Sequence, residues 1–169
     1  MGKKFVLGIV AMLVLTAITA IPGIAHTEND PYTVTLWAGQ NIDVGTVSVW
    51  NDGENLYVKY ETTDDWYFTE THLHVATALE NIPQTKKGNP IPGHFDYPME
   101  YDPPVQENIN VINLEECGFE VGDELYIAAH AVVQKVVQEE TAWGAGDEFP
   151  GNNWAMYFTY VVQGEQPHD

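Results

Sequence analysis

Four side chains in this sequence have the types and spacing that metal chemistry needs. Glu70, His72 and His74 alternate in Glu70-Thr71-His72-Leu73-His74, so on an extended strand they point to one face. His130 stands in a second apolar run, residues 125–133. If those two runs are neighbouring strands, His72 and His130 approach each other. Two imidazoles with the Glu70 carboxylate would then form a ligand set suited to zinc or copper. The plain alternative is a pair of neutral core histidines, each bonded to a carbonyl or a tyrosine.

Acidic loops offer a different cation chemistry. Asp64-Asp65, Glu139-Glu140 and Asp147-Glu148 fall at strand ends or in loops, and Asp52, Glu54 and Asn55 surround a tight turn. Calcium takes about six to eight oxygens from such loops. None of these clusters follows an EF-hand or a glycine-rich calcium repeat, so the alternative is a solvated acidic surface. Aromatic rings are the third candidate. Trp37, Trp50, Trp66, Trp143 and Trp154, with nine tyrosines, exceed what a small core needs. An exposed ring beside a carboxylate can stack on a sugar and hydrogen-bond it, whereas the remaining rings fill the core. Trp66 and Trp143 flank loops and are expected to be the exposed, ligand-binding pair.

Catalysis finds little support. Paired carboxylates can hydrolyse glycosides, but among 25 acidic residues some pair always looks suitable. No Gly-x-Ser-x-Gly, His-Glu-x-x-His or phosphate-binding loop occurs. Cys117 is the only cysteine, which excludes an internal disulfide. Glu115 and Glu116 beside it disfavour a thiolate, so it reads as a small buried hydrophobe.

The elements that must position these groups are strands. Residues 32–37 and 44–50 alternate apolar with polar or small residues, and so do residues 56–60. Asn51-Asp52-Gly53 between the last two runs is a β-hairpin signal. Residues 66–76, rich in β-branched and aromatic side chains, form a further strand. Residues 125–133 are apolar on both faces, the pattern of a central strand. Residues 108–114, 136–143 and 154–162 complete a set of about eight. Residues 77–106 break the pattern with Pro83, Pro90, Pro92, Pro98, Pro103 and Pro104, and read as one long, mobile or ligand-ordered loop carrying Lys86 and Lys87. The expected fold is therefore all-β: a two-sheet β-sandwich, jelly roll included, with one long Pro/Gly-rich loop.

The first residues give location. Lys3 and Lys4 precede an uncharged apolar stretch from Phe5 to Ala20, and Gly23-Ile24-Ala25 ends it with small residues at the peptidase positions. That order predicts a signal peptide over residues 1–25 and a mature domain over residues 26–169. The apolar stretch is shorter than the roughly 20 residues of a spanning helix, and no second one follows. The mature chain keeps four lysines, no arginine and 25 carboxylates, a formal charge of −21. Such a field repels nucleic acid and anionic lipid and attracts cations.

Ala38-Gly39-Gln40-Asn41-Ile42-Asp43-Val44-Gly45-Thr46-Val47 and Asn51-Asp52-Gly53 with Asn55-Leu56-Tyr57-Val58 also resemble the start of a known module. The likeness continues at Glu70-Thr71-His72-Leu73 and across residues 82–90, 125–133, 140–143 and 154–158. The module is a recurrent secreted or cell-surface β-sandwich domain of bacteria and archaea. The resemblance implies location and architecture, and supplies no functional residues. Together these features predict an exported, non-catalytic module that binds an extracellular ligand such as a glycan, or mediates adhesion. The competing readings are a structural subunit of a surface layer or fibre, self-assembled by strand pairing, and a metal-binding protein using the strand histidines.

Overall fold

The structure, a computed structural model, describes residues 25–164. The expected leader over residues 1–25 lies outside the described residues except for Ala25.

Nearly all of the described chain is β. Strands β1 (Tyr32–Ala38), β2 (Ile42–Asn51) and β3 (Asn55–Thr62) form an antiparallel meander. The Asp52-Gly53 turn closes its second hairpin, as its sequence predicts. Gly53 takes a φ of 91°, and Asp52 N–H donates to the Asn55 carbonyl at 3.1 Å. The chain continues through β4 (Tyr67–Ala76), β5 (Tyr97–Val105), β6 (Glu107–Asn113) and the single α-helix among the described residues, α1 (Leu114–Cys117). It ends with β7 (Glu124–Lys135), β8 (Gln138–Gly144), the short β9 (Asp147–Glu148) and β10 (Met156–Val161).

The strands join in one hydrogen-bonded order, β5-β4-β7-β8-β1-β2-β3-β6, with β10 added to β7. The two separate sheets of the sequence expectation are thus linked into one. The order is also nearly closed. Its two end strands, β5 and β6, are consecutive in the chain with only Gln106 between them. Gln106 holds that corner: its carbonyl accepts from Thr62 N–H at 2.9 Å, and its amide donates to the Trp66 carbonyl at 3.1 Å.

A bulge in β4 decides which side chains face in. Its register against β7 slips between Phe68 and Glu70. Phe68 and then Thr71, Leu73 and Val75 therefore all point inward, while Glu70, His72 and His74 share the outer face. The inner faces meet in the main core, with Leu36, Val47, Val58, Tyr60, Phe68, Leu73, Ile127 and Ala129 fully enclosed. β7 is the central strand, as its sequence predicts, because its outer face is covered too. Residues 77–96 and 145–155 fold back over it, and Ile82, Phe95, Phe149 and Ala155 pack on Ala76, Ala128 and Trp143 as a second core.

Two expectations need correction. Residues 77–106 are not one loop, because residues 97–105 form the edge strand β5. An edge strand has a side that need not donate, so it tolerates Pro98, Pro103 and Pro104. The remaining segment, residues 77–96, is pinned: Asn89 Oδ1 accepts from Asn152 N–H at 2.8 Å and Asn153 N–H at 3.2 Å. Cys117 is exposed rather than buried, since the one-turn α1 directs it outward.

Candidate functional site

The outer face of β4 and β7 brings the predicted histidines together. His72 and His130 are direct register partners, and their Nδ1 atoms lie 3.3 Å apart. Trp143 covers His130 at a ring separation of 4.8 Å. Burial, then the adjacent His72, push the His130 pKa down to about 3. Glu70 reaches His72 at 3.9 Å, but on Nε2, the ring nitrogen opposite the one facing His130. The carboxylate and the two imidazoles therefore do not converge on one point. His74 lies 3.3 Å from Asp96 without hydrogen-bonding geometry, and its pKa is lowered because burial outweighs that carboxylate. Among the described residues, no group of three or more His, Cys, Asp or Glu side chains is placed to hold a metal ion.

Trp66 and Trp143, expected to be exposed, are each only 5% accessible. Trp66 belongs to the main core. Trp143 lies in the second core, beneath the two loops that fold back over β7 and β8. Neither offers a ring face to a ligand. The turn cluster likewise spends its carboxylate locally. Asp52 accepts from Asn55 N–H at 2.8 Å, Glu54 N–H at 3.0 Å and Tyr57 O–H at 2.7 Å. Slight burial works against the charged form, but these bonds prevail and hold its carboxyl below the usual range.

An aromatic groove does open elsewhere, on the outer face of β2, β3 and β6. Trp50 and Tyr57 are register partners across the Asp-Gly hairpin, and their rings stack at 5.2 Å and 7°. Val111 partners Tyr57 from the next strand, so Trp50, Tyr57 and Val111 form one row. Ile109 and Val111 are 41% and 57% exposed. The segment from His26 to Glu28 and the Asn51-Asp52-Gly53 turn wall in a cleft of about 640 Å³, mostly apolar in its lining. Asp52 sits at its rim and fixes the Tyr57 hydroxyl.

The sequence contained the signal for this pair. A turn at Asn51-Asp52-Gly53 closes the hairpin at Asn51 and Leu56, and the next pair outward is Trp50 with Tyr57. Proximity to loops, used to select Trp66 and Trp143, is a weaker criterion than cross-strand register. No family model matches the chain, and comparison with curated proteins and with solved structures gives no match.

Proposed function

We propose that the chain is an exported, non-catalytic binding module of the cell exterior, and that the groove over Trp50 and Tyr57 holds its ligand. The observation that carries this reading is the cleft itself. Its volume of about 640 Å³ is within the range of small-molecule sites, roughly 300–1,000 Å³. Trp50 is itself only 6% accessible and backs Tyr57, so Tyr57 is the ring that takes the apolar face of a pyranose, and polar rim groups take its hydroxyls. Glycan binding, in ligand capture or adhesion, is the resulting function. The same reading takes the nearly closed sheet as flattened into two layers, β5-β4-β7-β8 over β1-β2-β3-β6, with the groove outside the second layer.

The test is a titration of the mature protein with neutral oligosaccharides, followed by tryptophan fluorescence and by calorimetry. Saturable binding is expected, and Tyr57→Ala should weaken it about tenfold, the value of one aromatic contact of ~1.4 kcal/mol. Binding that is unchanged in Tyr57→Ala would move the site elsewhere. Silence from every oligosaccharide would reject the glycan.

A further inference from the structure

The free edge of β6 is built differently from the other end of the strand order. In the β3–β6 ladder, Leu114 N–H donates to the Glu54 carbonyl and the Gln106 carbonyl accepts from Thr62 N–H, both at 2.9 Å. Antiparallel alternation then directs the backbone groups of the even-numbered residues toward β3. Those of Glu107, Ile109, Val111 and Asn113 point the other way, where β6 has no second strand partner among the described residues. Natural edges are usually blunted by proline, charge or a bulge. β5, the opposite end, carries Pro98, Pro103, Pro104, Glu100 and Asp102. β6 has no proline, no lysine and no bulge, and its seven pairs with β3 run in unbroken register.

We infer that this edge pairs with the same edge of a second copy of the chain, antiparallel, about a two-fold axis at Asn110. That axis places Ile109 against Val111 of the second copy and Glu107 against Asn113. Every outward-pointing residue then meets another, so each free N–H finds a carbonyl. Ile109 and Val111 are exposed β-branched residues, the type that cross-strand pairing favours. Charge permits the contact. Glu107 is the one charged residue of β6, and Lys59 holds it at 3.0 Å. Lys59 also bonds Glu61 at 2.9 Å, so this edge of a strongly acidic molecule meets its copy with one net negative charge, which salt screens.

Asn110 supplies a second observation. It is 9% exposed, points inward beside Ile112, and its amide nitrogen has no hydrogen-bond partner. On the axis it faces its own copy in the close, non-hydrogen-bonded type of pair, with Cα atoms about 4.5 Å apart. Each amide then has the other to bond. This pairing is independent of the groove reading, since a sugar need not bind for two edges to join.

Sedimentation of the mature protein in about 1 M sodium chloride, where the Debye length falls to about 3 Å, should show a dimer. Val111→Pro removes an N–H that β3 does not use, so the fold should keep its circular dichroism spectrum while the dimer dissociation constant rises about tenfold or more. Ile109→Lys, a change at an exposed side chain, should do the same. A monomeric wild type, or a dimer that persists in either natively folded variant, overturns the proposal. Asn110→Cys combined with Cys117→Ser should form a disulfide-linked dimer on oxidation. A dimeric preparation of that variant that does not crosslink overturns the two-fold axis.

Discussion

His130 shows what burial does to a single titratable side chain. Trp143 covers it, and its pKa falls to about 3, whereas in the unfolded chain it titrates near 6.5, the ordinary histidine value. The folded state therefore keeps it neutral where the unfolded state takes up a proton. Its contribution is fully present above about pH 6.5 and is lost as the pH falls toward about 3. His74, also lowered, acts in the same direction. Asp52, whose carboxyl lies below its ordinary value, loses its contribution only at lower pH. His130→Gln should lower stability at pH 7 yet flatten its decline between about pH 6 and 4. Urea unfolding midpoints across that range check it, and an unchanged slope would mean that His130 is solvated. The meeting of His72 with His130 was legible in the sequence, because alternation on two strands fixes the shared face. The burial of Trp143 was not, since the loops that cover it have no periodicity to read.

At the scale of elements, Asn89 ties the two loops that make the second core. Its side-chain oxygen serves two backbone donors in residues 152–153, and Gly151 leaves the space for it: a Cβ there would lie 1.9 Å from that oxygen. Both bonds are exposed, so Asn89→Ala leaves the two donors to water and should cost about 0.5–1.5 kcal/mol. It should also speed trypsin cleavage at Lys86 and Lys87, which the wild type should resist. Equal cleavage rates would show that the hydrophobic contacts of Ile82 and Phe95 hold the loop unaided. Most strands were readable from alternation and from the Asp-Gly turn. β5 was hidden because its prolines argue against any ladder, and only an edge position reconciles them with one. The β7–β8 turn was hidden for the opposite reason. Val136 and Val137 form its tip, both almost fully exposed, and Val136 adopts a φ of 55°. A β-branched residue there is strained and carries none of the usual turn chemistry.

Over the whole molecule, negative charge dominates. Beyond residue 25, four lysines face 25 carboxylates. Lys59 is shared by Glu61 and Glu107, and Lys135 reaches Asp65 only at 4.0 Å. Self-repulsion opposes the compact state, and salt screens it. The melting temperature should rise with sodium chloride, on the order of 5 °C between about 0.1 and 1 M. Among the described residues no group of three or more His, Cys, Asp or Glu side chains is placed to form an ion site, so calcium at matched ionic strength should add little further. A larger, saturating calcium effect would reveal one by mass action.

The way the two ends of the described chain meet has a mechanical consequence. His26 N–H donates to the Gln163 side chain, and Asn51 bonds the Gln163 backbone at 2.8 and 3.0 Å. Cleavage after Ala25 would turn that first donor into an ammonium group and strengthen the clasp. Tension between the ends would load this clasp first. Beyond it, β1 and β10 would peel from the same pole, bond by bond, so the sheet would yield by unzipping and never bear the pull as shear.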